Sequence, residues 1–142
     1  MAVTVKRITI WRTELENKPG ALAATLAPLA SAGADLSVVM GYRYGGQENK
    51  AAIEVYPVAG KKQVAAAQQA GLSASTIPTL LVAGDNRPAL GHAIAKAMAD
   101  AGINLAFLVA QVVGRKYSAV IGFDNEDDVK RATGVIKKAT KR

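Results

Sequence analysis

The chain has 142 residues, half of them hydrophobic, and a formal net charge of +7 from 18 basic and 11 acidic residues, so it suits one ordinary domain or two small ones. Having no cysteine and only one histidine, His92, it lacks disulfides, a thiol nucleophile and any cysteine-rich or histidine-rich metal site. Its apolar runs are far shorter than the ~20 residues that cross a bilayer, and its N-terminus does not have the form of a signal peptide. We therefore expect a soluble, cytoplasmic protein.

The first predicted elements are a long strand and a helix. Apolar residues alternate over 3–13, which predicts a β-strand with an irregularity near residues 6–7. A helix follows, with Pro19 in its first turn, where a missing amide hydrogen is tolerated, and Gly33 at its end. Pro28 removes one backbone hydrogen bond inside this helix, so we expect a bend or an early end there.

A hairpin and a second helix complete the first half of the chain. Strands are predicted at 35–44 and 51–58, joined by a loop of turn-forming residues at 45–50, and a helix is predicted near 60–70. Residues 74–84 form one extended segment that Pro78 interrupts, because proline cannot donate to a sheet ladder. This segment connects the two halves.

The second half repeats the same order of elements. Acidic residues open the last helix and basic residues close it, which complements the helix dipole and favours a solvated face over a phosphate-binding patch. The predicted elements are a helix at 88–101, strands at 104–113 and 117–123 with a shorter turn between them, and a helix at 125–140.

The repeat extends to individual residues. Residues 17–36 align without gaps on residues 86–105 with seven identities in twenty, including both prolines and both helix-ending glycines. The order strand, helix, strand, strand, helix, strand predicts an α+β protein with two ferredoxin-like (βαββαβ) domains in tandem, at 1–70 and 71–142. Since no chain remains for a last strand in the second domain, we expect residues 2–6 to supply it, just as 73–77 completes the first sheet.

The sequence "NKPGAL" after a strand and "AGADL" at the end of a helix, repeated as "NRPALG" and "AGINL", resembles the ACT domain. The resemblance covers almost the whole chain. It implies two regulatory ferredoxin-like modules with antiparallel sheets joined side by side, no attached catalytic domain, and amino-acid binding at the interface between copies. It also implies a homodimer or larger oligomer and an enzyme or regulator as the partner.

The repeated turn has chemistry that suits a carboxylate. Backbone N–H groups at the start of a helix lack intrahelical partners and favour anions, and Gly20 has no Cβ to hold a ligand away. Asn17 offers a donor and an acceptor, and Lys18 adds positive charge. The candidate ligand-binding residues are Asn17, Lys18, Pro19, Gly20, Ala21, Leu22 and Asp35 in the first copy, and Asn86, Arg87, Pro88, Ala89, Leu90 and Asn104 in the second.

Each candidate also has a structural interpretation. Asn17 and Asn86 suit helix N-caps, and the basic residues beside them suit solvent exposure. Asp35 and Asn104 follow helix-ending glycines, where a turn role is as good as ligand contact. Ala89 replaces the first copy's glycine, so the second site is either tighter or empty. His92 lacks the partners of a catalytic base and is interpreted as an ordinary helix residue.

These residues bear on three functions, which are catalysis, nucleic-acid binding and small-molecule sensing. Neither repeat supplies a nucleophile or an acid–base pair, and no phosphate loop or dinucleotide fingerprint is present, so we predict no enzyme activity and no cofactor. A ferredoxin-like nucleic-acid-binding protein is the alternative, because the chain is basic, but the middle strands lack the aromatic pattern of RNA-recognition domains. The sequence therefore favours a small-molecule sensor that binds an amino acid and acts on a partner.

Overall fold

The computed structural model describes residues 3–141, which form an α+β fold with two four-stranded antiparallel sheets. The elements in chain order are β1 (Thr4–Ile8), β2 (Trp11–Glu16), α1 (Ala21–Ser31), β3 (Val38–Tyr44), β4 (Gln47–Tyr56), α2 (Gly60–Gln69), β5 (Ser73–Ala74), β6 (Thr79–Asp85), α3 (Leu90–Asp100), β7 (Leu105–Val113), β8 (Lys116–Phe123) and α4 (Glu126–Thr140).

The chain divides into two compact units. The N-terminal unit is Thr9–Ser75, and the C-terminal unit is Met1–Ile8 with Thr76–Arg142, of which residues 1, 2 and 142 lie outside the described range. The sheet of the N-terminal unit has the order β3-β4-β2-β5, and that of the C-terminal unit has the order β1-β6-β8-β7. Both are the ferredoxin-like order, so the predicted α+β fold with two βαββαβ modules is confirmed.

The first strand of the chain belongs to the C-terminal unit. β1 pairs antiparallel with β6 over Thr4–Ile8, and a Cβ built at Gly84 would lie 3.0 Å from the Val3 Cα, so a glycine is needed where the chain approaches. The sequence predicts this pairing for residues 2–6, of which Ala2 lies outside the described residues. β5 pairs with β2 at the edge of the other sheet. Relative to the predicted domains 1–70 and 71–142, residues 3–8 and 71–75 lie in the opposite units.

The strand predicted over 3–13 serves two sheets, as expected from the assignment of residues 2–6 to the second domain, but it is not continuous, because β1 and β2 are separate strands. The break falls at Thr9 and Ile10, three residues beyond the predicted irregularity. Ile8 and Ile10 are both buried, so the alternation of apolar residues continues through the break and conceals it.

Helix α1 continues through Pro28 to Ser31, so the predicted early end is wrong. Its first helical residue is Ala21, which places Pro19 before the helix and not in its first turn. Leu29, which follows the proline, is fully buried in the core of the N-terminal unit. This burial holds the last turn of the helix despite the lost backbone hydrogen bond.

The first hairpin is tighter than the sequence predicts. Strand β4 begins at Gln47, so the loop is Gly45 and Gly46 and not the six residues 45–50. Gly46 has a φ of 77°, a left-handed backbone conformation that glycine adopts without strain. The polar residues after it extend the strand instead of forming a loop, and the second hairpin also has two loop residues.

Each unit buries its apolar residues between its sheet and its two helices. The core of the N-terminal unit centres on Leu29, Ile53 and Val55. The core of the C-terminal unit includes Ile94, Met98 and Phe123. Within residues 3–141, no helix is long and apolar enough to span a membrane.

The charge pattern predicted for the last helix is confirmed. Helix α4 has three acidic residues in its first turn and Lys137 and Lys138 in its last. Its N-cap is Asn125, whose Oδ1 accepts a 2.8 Å hydrogen bond from the Asp128 backbone N–H. The charges therefore oppose the partial charges at the two helix ends and stabilise the helix.

Candidate ligand-binding groove

An open groove of about 520 Å³ lies at the start of α1 in the N-terminal unit. It is bounded by the end of β2, the turn before α1, the first helical turn, and the neighbouring parts of β3 and β4. Its lining residues are Leu15, Asn17, Lys18, Gly20, Ala21, Leu22, Ala23, Gly41, Tyr42, Arg43, Ala51, Ala52 and Ile53. Five of the predicted site residues, from Asn17 to Leu22 with the exception of Pro19, therefore meet at one cavity.

The backbone of the turn is set by Gly20, which has a φ of 84° and is the N-cap of α1. The Ala21 N–H donates to the Lys18 carbonyl at 3.2 Å, and the Ala24 N–H donates to the Gly20 carbonyl at 3.0 Å. The Ala21 amide is therefore used within the turn that the left-handed glycine closes, and it is not left for a ligand. The next two residues, Leu22 and Ala23, have the N–H groups that a helix start leaves without intrahelical partners.

Asn17 is not the helix cap that the sequence suggests. Its Nδ2 donates to the Glu48 carbonyl at 3.0 Å, and its backbone N–H donates to the Asn49 carbonyl at 2.9 Å. These bonds tie the end of β2 to the start of β4 and fix the outer edge of the groove. Because its amide nitrogen faces Glu48, the oxygen Oδ1 is the group that Asn17 offers to a ligand donor.

The groove combines positive charge with apolar walls. Lys18 and Arg43 supply cationic side chains from opposite elements, the turn and β3, and both residues are exposed. Leu22 is 43% exposed, and it lies over Gly41, where a Cβ would be 3.9 Å from its Cδ1. Such a site can hold an anionic group beside a small apolar one.

The sheet face opposite α1 carries a polar network that holds β3 against its neighbours. Tyr42 Oη donates to Glu54 Oε2 at 2.6 Å, and Glu54 is only 3% exposed. Arg12 donates from Nη1 to Glu14 Oε1 at 3.0 Å and from Nη2 to the Tyr44 hydroxyl. Desolvation by burial, together with the hydrogen bond to Glu54, raises the pKa of Tyr42, and the hydrogen bond from Arg12 lowers the pKa of Glu14.

Two of the predicted residues of the first copy lie away from the groove lining. Pro19 lies in the turn without lining the cavity. Asp35 follows the C-terminal end of α1, while the groove lies at its N-terminal end. An 11-residue helix separates them by about 16 Å.

The second copy of the turn has the same backbone bonds, but its N-cap residue is an alanine instead of a glycine. The Asn86 N–H donates to the Arg115 carbonyl at 2.8 Å, and the Leu90 N–H donates to the Arg87 carbonyl at 3.3 Å. Ala89 is the N-cap of α3, with a φ of 66° that is unusual for a residue with a Cβ. Asn86 is therefore not the predicted N-cap.

Other predicted residues of the second copy lie outside the turn surface. Leu90 is buried in the core of the C-terminal unit, and Pro88 precedes the cap of α3. Asn104 lies beyond the other end of α3 and donates from Nδ2 to Asp124 Oδ2 at 3.4 Å. His92 is exposed on α3. Among residues 3–141 there is no group of three acidic or histidine side chains placed to hold a metal ion.

Sequence reasoning missed the groove residues on β3 and β4. Their contact with the turn follows from strand pairing, in which Gly41 faces Ile53 and Tyr42 faces Ala52. One signal was present, because a glycine inside a strand often marks the close approach of another group. Here that group is Leu22, which lies directly over Gly41.

No protein-family model and no curated protein matches the chain. Solved structures do match. A protein from Bacteroides thetaiotaomicron is 15% identical with a TM-score of 0.73, over 92% of this chain and 88% of its own. The ligand-free regulatory subunit of aspartate kinase from Thermus thermophilus is 16% identical with a TM-score of 0.64, over 98% and 97%. The aspartate kinase of Clostridium acetobutylicum is 13% identical with a TM-score of 0.61, over 97% of this chain and 34% of its own.

These similarities establish the fold. The chain has the architecture of the regulatory subunits and domains of aspartate kinase, and the predicted resemblance to the ACT domain is confirmed at this level. At such identities the similarity establishes the fold alone and does not determine the chemistry of the groove.

Proposed function

We propose that the protein is a non-catalytic regulatory protein that binds a free amino acid in the groove at the start of α1 and transmits occupancy to a partner enzyme. The observation that carries this proposal is the groove itself. It places two cationic side chains, a helix N-terminus and an apolar wall around one cavity of about 520 Å³, which is within the range of small-molecule sites.

The carboxylate of the ligand is assigned to the first turn of α1. The N–H groups of Leu22 and Ala23 point along the helix axis, where the positive end of the helix dipole favours an anion. Lys18 and Arg43, which also line the groove, add positive charge. The ammonium group then pairs with the oxygen Oδ1 of Asn17 at the outer edge.

The side chain of the ligand is assigned to the apolar wall. Leu15, Leu22 and Ile53 line the groove between the turn and the sheet. The exposed part of Leu22 would be covered by such a ligand, which stabilises the complex by about 25 cal/mol for each Å² of apolar area removed from water. A small or medium-sized amino acid side chain fits this wall.

A regulatory protein must also contact other chains. β7 is an edge strand, and four of its apolar side chains, Leu108, Val109, Val112 and Val113, are exposed. Exposed apolar edges invite pairing, so we propose a homodimer or larger oligomer. The ligand acts on the partner enzyme through its different affinity for two states of the assembly. Nucleic acid, a membrane and a cofactor have no part in this function, which we place in the cytoplasm.

The proposal is tested by a thermal-shift screen of the twenty amino acids, followed by calorimetric titration of the amino acid that gives the largest shift. A ligand of the folded state must raise its stability. K18M and R43M should each weaken binding about fivefold, because a partly exposed charge contact is worth up to ~1 kcal/mol. K61M, which removes an exposed lysine of α2 in the same unit, is the matched control and should bind like the parent.

Two results would contradict the proposal. The first is the absence of binding by every amino acid, combined with salt-sensitive binding of single-stranded RNA, which would favour the nucleic-acid alternative. The second is an amino acid whose affinity falls as much in K61M as in K18M and R43M, which would indicate a general charge effect and remove the groove from the site.

A further inference from the structure

The C-terminal unit contains the counterpart of every element around the groove, and equivalent backbone bonds align the two. The Asn17 N–H to Asn49 carbonyl bond corresponds to the Asn86 N–H to Arg115 carbonyl bond. Strand pairing carries this alignment along the hairpins, since Leu15 faces Ala51 in one unit and Gly84 faces Tyr117 in the other.

At two positions of the groove, the sizes of the side chains are reversed between the two units. Ala51, on the floor of the groove, corresponds to Tyr117 on β8, while Leu22, in the first turn of α1, corresponds to Gly91 in the first turn of α3. Where the N-terminal unit has a small residue on the strand and a large one on the helix, the C-terminal unit has the reverse. The larger strand residue of the C-terminal unit is therefore matched by a smaller helix residue.

Tyr117 extends from the sheet to the helix. It is only 6% exposed, although its neighbours Lys116 and Arg115 at the hairpin are exposed. A Cβ built at Gly91 would lie 3.7 Å from the Tyr117 hydroxyl, so the side chain reaches the first turn of α3. Burial raises the pKa of this hydroxyl, which is consistent with its removal from water.

We infer that Tyr117 fills the second binding groove and leaves the chain with one amino-acid site, in the N-terminal unit. This inference rests on the proposed function and adds to it the number of sites and the residue that sets that number. The aromatic ring occupies the place where the side chain of a ligand would contact the floor, and the hydroxyl lies where its carboxylate would approach the helix N-terminus. The second turn retains Arg87 and the α3 N-terminus, so removing the ring should expose a usable carboxylate site.

The experiment is equilibrium dialysis of the full chain against a mixture of the twenty L-amino acids, followed by amino-acid analysis of the bound fraction. The parent should retain one amino acid per chain. Y117A, which places on β8 the residue found at position 51, should retain two. Y117F keeps the ring and is the matched control, so it should retain one.

A reciprocal variant covers the case in which Y117A fails to fold. A51Y combined with L22G copies the arrangement of the C-terminal unit into the N-terminal one and should reduce the bound amino acid to none. G91L is expected to destabilise the parent, because the leucine must share the space of the Tyr117 hydroxyl, and to be tolerated in the Y117A background. Circular dichroism shows whether each variant folds, and urea unfolding measures its stability.

The outcomes separate this inference from the proposed function. Two bound amino acids in the parent would overturn the assignment of Tyr117 while leaving the proposed function intact. A folded Y117A that still binds one, or an A51Y/L22G variant that still binds one, would also overturn it. No bound amino acid in the parent would overturn the proposed function itself.

Discussion

Replacing Gly20 by valine should weaken amino-acid binding about tenfold, and Gly33 provides a matched control for the cost to the fold. Gly20 lies at the N-terminal end of α1 and lines the groove, while Gly33 follows the C-terminal end of the same helix and does not. Both have left-handed backbones, with φ of 84° and 77°, and an added Cβ at either would meet no other heavy atom within 4 Å.

The two substitutions should therefore cost similar stability. A residue with a Cβ in the left-handed region costs roughly 1–2 kcal/mol, and a β-branched residue lies at the upper end of that range. We expect G20V and G33V each to lower the free energy of unfolding by about 2 kcal/mol. Ala89 adopts a φ of 66° at the position equivalent to Gly20, which shows that a side chain is compatible with this turn.

Only G20V should affect the ligand. A valine at this position places two methyl groups at the mouth of the groove, and a tenfold loss of affinity corresponds to ~1.4 kcal/mol. Urea unfolding measures the loss of stability, and calorimetric titration measures the loss of affinity. If G20V binds an amino acid as tightly as G33V, the turn is not part of the site, and the reasoning from the groove fails.

Three further predictions concern the architecture. Deleting residues 1–6 should reduce amide-exchange protection in the C-terminal unit and not in the N-terminal one, because β1 pairs with β6; equal loss in both would contradict the assignment of that strand. Y42F should lower stability by about 1–2 kcal/mol, since it removes the donor to the buried Glu54 carboxylate. The pKa of Tyr42 is raised in the folded state. The stability that this hydroxyl contributes is therefore present below its unfolded pKa of about 10 and is lost as pH rises through the folded pKa. Urea unfolding at pH 8 and above pH 10 should show a smaller alkaline loss of stability in Y42F than in the parent. Sedimentation at tens of micromolar should give an oligomer, and V113K on the exposed edge of β7 should shift it toward monomer.

The order of the elements could be predicted because its signals are local. Alternating apolar residues, the prolines after the two asparagines, and the glycines that end α1 and α3 all act through neighbours in the chain. The repeat then allowed each half to support the other. These signals were sufficient for the α+β class and for both ferredoxin-like modules.

The features that could not be predicted depend on contacts between distant residues. The break between Ile8 and Trp11 is concealed because Ile10 is also buried, and the continuation of α1 past Pro28 depends on the burial of Leu29. The capping role of Gly20 follows from a left-handed turn that the sequence permits but does not require.

Only one wall of the site could be predicted from the sequence. The turn from Asn17 to Leu22 was identified, but its opposite wall, with Arg43 and Ala51, comes from strands whose register is fixed only by pairing. Tyr117 gave no sequence signal, because the clear repeat ends before the hairpin and the equivalence with Ala51 appears only in the sheets.

The most direct test of the central claim is an NMR titration of the ¹⁵N-labelled protein with the amino acid that gives the largest thermal shift. We predict that the amide shifts concentrate on residues 17–23 and 41–43, which surround the groove, and that residues 86–91 of the second turn remain unchanged. Shifts confined to the second turn, or to the basic end of α4, would contradict the assignment of the groove as the amino-acid site.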